Sequence, residues 1–473
     1  MNAQPRQYLI ALHLLLPSAL SFLAMAGALN SVYIFEPNDY DYSIFSNLLW
    51  NFAHGNGWLM SLYAGSAREF FLADHLTLLV PVLAPFFYAF PSPYTLAVIH
   101  AAAFSATYFL VPFFVRAVWI QSGRQDYLAP ASFLLLALFL SKAFSAAWAC
   151  QSHMTTIATP FLLCALLALH SKKIWGCVLC CLILALAQER AATAVFGVGA
   201  YAFLLTGHRR LGFLLCASSF LYFLLAVKVL IPHFNAAGAY LYDDFLAPFH
   251  NLERKGLFLW QFLLMWFFLP FCGKRAFCAA LCAMPIISLG LLSNRPTMSG
   301  FYHHYQDLPS IFLFAASVHG LLWLTGKRRL AGLPGAALLI AAICALCWSA
   351  EESKELLPFA ALSRPAGTER LNEAIAPYAA IDPDISIYAS SGIGPRLSLR
   401  ERRYPISPER AARAFSSSLV VIAPTLDMYP HATADKILSA LSDNTSLYLV
   451  DAAGPLVVYA SNDLARSRLP GAE

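Results

Sequence analysis

The feature that most constrains this chain is a run of long apolar segments whose ends alternate in charge. One end carries lysine and arginine, and the next carries acids. An apolar run of about twenty residues matches the hydrocarbon core of a bilayer, and about eleven such spans of roughly 16–23 residues can be drawn. They cover 8–29, 94–115, 128–149, 154–170, 174–188, 191–206, 211–231, 257–272, 276–292, 308–325 and 333–350. One set of connections holds Arg6, Arg116, Arg124, Lys172, Lys173, Arg209, Arg210, Lys274, Arg275, Lys327, Arg328 and Arg329, with only Asp126 against them. The other set holds Glu36, Asp39, Asp41, Glu69, Asp74, Glu189, Asp243, Asp244, Glu253 and Asp307, with fewer cations. The two sets alternate strictly. Basic connections stay in the cytoplasm, so the amino terminus is expected inside and the acidic loops outside. The apolar stretch 75–90 holds Pro81 and Pro85. If it crossed the membrane, every later loop would change side, so it is placed as a re-entrant or interfacial segment.

Composition agrees. The chain is 59% hydrophobic and 12% charged, about half the charged fraction of a soluble domain. A net charge of +5 gives no reason to expect a nucleic-acid partner. Cys177 with Cys180, and Cys344 with Cys347, have a CxxC spacing, but each pair lies inside an apolar run. They read as packing residues rather than as metal or redox sites. The first run is too long for a signal peptide and reads as a retained span.

The loop 30–92 is the longest connection between spans. Asp39 or Asp41 can cap a helix reaching to about Phe52. Phe45, Leu49 and Phe52 share one face of it, with Asn47 and Asn51 elsewhere. That pattern predicts an amphipathic helix lying in the headgroup plane. After Ala350 the composition turns soluble, with 12 basic and 15 acidic residues among 351–473. Buried strands are expected at Ser386–Ser390, Leu419–Ala423, Leu447–Val450 and Leu456–Ala460, and helices at Glu369–Tyr378, Pro408–Phe415 and Thr433–Leu441. The fold expected is an all-α polytopic membrane domain over 1–350 and a small C-terminal α/β soluble domain over 351–473. Ser390–Arg403 (SSGIGPRLSLRERR) lacks a phosphate-binding fingerprint and reads as a solvated basic loop, with an anion-binding surface as the other reading.

The layout of a first span, a long outer loop with acids opening juxtamembrane helices, many further spans and an outer C-terminal domain resembles the GT-C superfamily of membrane glycosyltransferases. The stretches YDYSIFSNLLWNFAHGNGW (40–58), DHLTLLVPVLAPFFYAFPSPYTL (74–96), SHMTTIATPFLL (152–163), QERAA (188–192), HHYQDLPSIFLFAA (303–316) and DISIYASSGIGPRLSLRERRYPIS (384–407) are more closely similar to a bacterial DUF2079-like family of polytopic membrane proteins. That family carries a Lys-Glu pair where this chain has Gln188 and Glu189. The resemblance implies transfer of a sugar from a polyprenyl-phosphate donor to an envelope acceptor. It also implies that a loop carboxylate after the first span orients or deprotonates the acceptor. Here that residue is Asp41, with Asp39 second.

Other polar residues near the outer ends of the spans are candidate substrate ligands. His75 follows Asp74, His153 sits in a tight outer turn, and Glu189 and Arg190 form another. His303, His304 and Tyr305 precede the tenth span. For each, the plain alternative is a solvated or capping role, and for Glu189 and Arg190 an ion pair between neighbours. Lys142 and Lys228 interrupt spans, where a charge is costly and faces a partner or a cavity. Either could hold a lipid phosphate, and either could snorkel to the interface. No HExxH and no Cys/His ligand set is present, and Asp39 with Asp41 alone is a weak metal signal. The sequence thus points to no metal or other cofactor and leaves a divalent metal open. The expected partners are the bilayer and a polyprenyl-phosphate-linked sugar, and the expected location is the bacterial inner membrane with a periplasmic C-terminal domain. A transporter or lipid flippase is the rival class. It would place polar residues at the midplane on paired broken helices. A non-catalytic envelope-assembly protein is the third.

Overall fold

In a computed structural model, the chain is described over residues 4–36, 39–63, 69–150, 153–238, 240, 249–301, 303–326, 357–358, 360–426, 434–452 and 454–468. The helical part runs α1 Gln4–Tyr33, α2 Ile44–Ala53, α3 Val80–Ala89, α4 Thr95–Gln121, α5 Leu128–Leu140, α6 Lys142–Ala149, α7 Met154–Ile157 and α8 Thr159–His170. It continues through α9 Ile174–Ala187, α10 Ala191–Leu205, α11 Arg209–Leu225, α12 Ile231–Phe234, α13 Leu252–Met265, α14 Lys274–Leu281, α15 Met284–Leu292 and α16 Asp307–Gly326. Among the described residues, four stretches are long and apolar enough to cross a membrane unbroken: Leu14–Tyr33, Thr95–Gln121, Arg209–Phe234 and His304–Gly326.

Two expected spans are bent. The run 128–149 turns by 55° between α5 and α6. Ser141 is extended there, and its hydroxyl accepts from the Phe144 amide, which starts a new helix. The run 276–292 turns by 50° before α15, where Pro285 occupies the first turn and supplies no amide to the preceding helix. The expected span 333–350 lies outside the described residues. Close helix contact comes from small residues. A Cβ on Gly199 would lie 2.8 Å from the Gly212 carbonyl, so α10 and α11 approach backbone to backbone.

The C-terminal part holds a five-stranded sheet in the order β2-β1-β3-β5-β4. The strands are β1 Ser386–Ala389, β2 Arg403–Pro405, β3 Ser418–Ile422, β4 Leu447–Asp451 and β5 Val457–Ser461. β2, β1 and β3 are parallel, and β5 is antiparallel to β3 and β4. Side chains alternate in β3: Leu419 and Val421 pack with Leu371 and Ile375, while Val420 and Ile422 pack with Ile437 and Leu441. The helices Thr368–Ala379 and Ala434–Ser442 therefore cover opposite faces. The edge strand β4 corrects the expectation of a buried strand, because Tyr448, Leu449 and Val450 are exposed.

Two further expectations are corrected where the sheet meets the helices. Residues 44–51 of α2 are all buried, so α2 is a core helix rather than a surface one. Its polar face turns to the segment 398–403. The Asn47 amide donates to the carbonyls of Ser398 and Arg400 at 3.2 and 2.7 Å. The Asn51 amide reaches the Glu401 carbonyl at 3.3 Å. Ser61 both accepts from the Arg403 amide and donates to its carbonyl, each at 2.9 Å. Nor is 390–403 a solvated loop. Arg400 and Arg403 are buried, and the Arg400 guanidinium donates to the carbonyls of Leu397, Ile385 and Tyr378. Its charge is spent on the protein's own backbone.

Asn47→Ala removes both bonds and leaves two buried carbonyls without their donor. This should cost about 1–3 kcal/mol. Hydrogen exchange at 398–403 should quicken while the helical core keeps its protection. Unchanged exchange there would show that α2 does not fasten this segment.

Candidate functional site

Five connections converge at one end of the helices. They are the π-helical turn Asp39–Ser43 before α2, the 71–76 segment, the turn before α7, the turn between α9 and α10, and the turn before α16. Asp41 lies in the first. The residue capping α2 is Ser43, which makes no side-chain cap bond, so the expected capping by Asp41 is not what the helix uses. Instead an Asp41 carboxylate oxygen lies 3.3 Å from His153 Nε2. His153 keeps 8% of its side chain exposed and Asp41 keeps 29%, so the carboxylate is the reachable member of the pair. The His153 ring stacks on His304, centroids 3.1 Å apart, and Phe45 packs edge-on against it.

Beside this trio sits a buried ion pair. Arg190 Nη2 is 3.3 Å from the Asp307 carboxylate. The same carboxylate accepts from the hydroxyls of Thr155 and Thr156 at 2.7 and 3.0 Å. Arg190 also bonds Thr155 through Nη2 and Gln188 through Nε, and its guanidinium lies over the Tyr305 ring at 5.0 Å. Nη1 is the guanidinium nitrogen that makes no protein hydrogen bond among the described residues. Glu189 points the other way. It takes His75 Nδ1 at 2.8 Å and the Leu76 amide at 3.0 Å. The expected pairing of Glu189 with its neighbour Arg190 is thus corrected: in a tight turn, adjacent side chains diverge, and each finds a partner on another connection.

The structure brings Asp41, His153, His303, His304, Tyr305, Arg190, Glu189 and His75 to this end. Asp39 lies in the same turn as Asp41, and its side chain is outside the described set. Lys142 is buried at the first turn of α6, which packs beside the turn 304–306. Lys228 is exposed in the π-helical turn Ala226–Leu230. Asp307, Thr155, Thr156 and Gln188 were not singled out in the sequence. An acid directly after HHYQ at the head of an apolar run was the available signal for Asp307.

The charges follow from burial and pairing. Burial holds His153 below its ordinary value against the opposing pull of Asp41, so at neutral pH the imidazole is uncharged. Burial also holds His303 down against Asp41. It pushes the Cys150 thiol up to about 12, so no thiolate is offered here. For His75, burial lowers the value, but the Glu189 charge wins and raises it. For Glu189, burial raises the value, but the His75 charge wins and lowers it.

Asp41, His153 and His304 each offer one ligand atom, all within 4.8 Å of one another. The 3.3 Å separation of Asp41 and His153 matches the edge of a tetrahedron with bonds of about 2.0–2.1 Å. Among the described residues, Nδ1 of His153 and Nδ1 of His304 are buried without a hydrogen bond, and His153 Nε2 has only its 3.3 Å contact with Asp41. A neutral imidazole is the form that ligates a metal. The trio thus fits either an acid–imidazole hydrogen bond or a divalent cation with an open position.

The chain belongs to the family described as "Predicted membrane protein (DUF2079)", which matches residues 32–420. No curated protein matches it. Its fold is similar to that of ArnT from Cupriavidus metallidurans bound to undecaprenyl phosphate, with a TM-score of 0.54, 13% identity, and 94% of this chain and 97% of that one covered. The apo state of ArnT gives a TM-score of 0.53 at 13% identity, covering 95% and 98%. The fold is accordingly similar to that of ArnT, helical with a small C-terminal sheet region.

The His75–Glu189 pair predicts a signed pH dependence. The His75 contribution to stability is complete below its ordinary 6.5 and fades as pH rises through its raised folded value. The Glu189 contribution is complete above its ordinary 4.5 and fades as pH falls through its lowered folded value. Glu189→Gln should therefore lower the thermal midpoint most near about pH 5.5 and least in alkali. A difference independent of pH would show that the contact is not ionic.

Proposed function

We propose that this protein is a GT-C-like glycosyltransferase of the inner membrane, moving a sugar from a polyprenyl phosphate to an envelope acceptor at the periplasmic face. The observation that carries the reading is the reachable Asp41 carboxylate set beside a buried guanidinium at one end of the helices. The similarity to a fold seen with undecaprenyl phosphate supports it. The alternation of basic and acidic connections supports an outward-facing site.

In the proposed step, an acceptor hydroxyl oxygen attacks the anomeric carbon of the donor. A carbon–oxygen bond forms there as the bond to the phosphate oxygen breaks. The electron pair leaves on the phosphate, and the hydroxyl proton passes to Asp41. Arg190 is fixed by Asp307, Thr155 and Gln188, which aims Nη1 at the departing phosphate without further rearrangement. The Tyr305 ring packs against that guanidinium, 5.0 Å from Cζ to the ring centroid. His153 holds the Asp41 carboxylate in place. Lys142 and Lys228 are second candidates for the phosphate.

Asp41→Asn should cut sugar transfer by roughly 10²–10⁴-fold, with membrane insertion and thermal midpoint unchanged. The readout is transfer from a labelled polyprenyl-phosphate sugar in membranes, together with mass spectrometry of envelope glycans with and without the gene. Full activity in the variant removes Asp41 from the reaction.

A further inference from the structure

The helices that meet at Asp41 carry a second polar site at their other ends. α16 runs from Asp307 at the first site to Trp323 at the second, a separation of roughly 24 Å at 1.5 Å per residue. There a cavity of about 390 Å³ is lined by Arg124, Gly273, Lys274, Arg275, His319 and Trp323. Gly273 opens α14 with φ +98°, and a Cβ on it would lie 2.7 Å from the Trp323 ring. Glycine is therefore required both for the turn and for the Trp323 wall. Arg124 is partly neutralised by Asp126, and Arg275 donates one bond to the Leu205 carbonyl at 3.0 Å. The cavity keeps a net positive lining.

Its floor is more specific than its walls. His319 is only 4% exposed. Its Nε2 lies 2.8 Å from Tyr201 Oη, which lies 2.8 Å from His170 Nε2. His170 Nδ1 in turn meets Gln121 Oε1 at 2.7 Å. That amide oxygen can only accept, so His170 carries its proton on Nδ1 and accepts on Nε2. Tyr201 must then donate to His170 and accept from His319 Nε2. In its neutral form, His319 is left with a lone pair on Nδ1. That nitrogen has no protein partner among the described residues, and the residue lines the cavity. An acceptor without a protein donor, on a residue lining a cavity with Arg124, Lys274 and Arg275, suits a ligand that brings both negative charge and a hydroxyl.

We propose that this cavity binds a phosphate carrying an adjacent hydroxyl, of the glycerophosphate kind, with Lys274 and Arg275 on the phosphate oxygens and His319 Nδ1 accepting from the hydroxyl. The site stands apart from the reaction proposed at Asp41 and does not depend on it. Its place among the basic connections makes the headgroup of an anionic lipid one source of this chemistry, and a soluble glycerophosphate the other.

The test is native mass spectrometry of the full chain in neutral detergent. It is titrated with phosphatidylglycerol, with phosphatidylmethanol, which has the charge but no hydroxyl, with phosphatidylcholine, and with glycerol 3-phosphate. Phosphatidylglycerol should be retained at least tenfold better than phosphatidylcholine and better than phosphatidylmethanol. The double variant Lys274→Gln, Arg275→Gln should lose that preference. Arg209→Gln with Arg210→Gln, an equal loss of exposed charge elsewhere, should keep it, as should Asp41→Asn. Competition by glycerol 3-phosphate at comparable concentration assigns a soluble ligand, and its failure beside lipid retention assigns the headgroup. Equal retention of phosphatidylmethanol, equal loss in the Arg209/Arg210 variant, or binding of none of the probes would overturn the proposal.

Discussion

A single buried pair, Arg190 with Asp307, fixes the geometry at the Asp41 end. Taking two charges out of water is costly, and the cost is offset only when the remaining donors and acceptors are satisfied. Here Thr155, Thr156 and Gln188 complete the shell. Those five residues come from three separate places in the chain: α7, the turn between α9 and α10, and the head of α16. None of these can shift without stranding a charge. His153 lies two residues before Thr155 and His304 three before Asp307, so both histidines sit next to members of this network.

Much of this was legible in the chain. The alternation of cationic and acidic connections picked out one end of the helices, and Asp41, His75, His153, Glu189, Arg190, His303, His304 and Tyr305 do lie there. Strands 386–389, 418–422 and 447–451 were read to within a residue or so, because short apolar runs between turn residues leave few alternatives. What the chain concealed was partnership. Glu189 and Arg190 are neighbours, and proximity in sequence suggested that they pair. The turn sends them apart, and their partners lie over a hundred residues away in the case of His75 and Asp307.

The same limit explains α2 and the arginine-rich segment. An amphipathic pattern states that one face is polar, but not whether water or another backbone answers it. Asn47 and Asn51 face the carbonyls of 398–401, so a helix suited to a lipid surface is buried instead. Arg400 and Arg403 likewise look like solvent charges until the carbonyls around Arg400 are counted. Local periodicity carries no information on contacts of such separation.

Asn47 and its acceptor on Arg400 are 353 positions apart. A ribosome therefore releases the helix bearing the Asp41 turn long before it makes the strut against which that helix rests. During biosynthesis the first loop must wait, half-finished, until almost the whole polypeptide has been translated. A message truncated before codon 398 would yield a protein that has entered the bilayer yet never completes its Asp41 end.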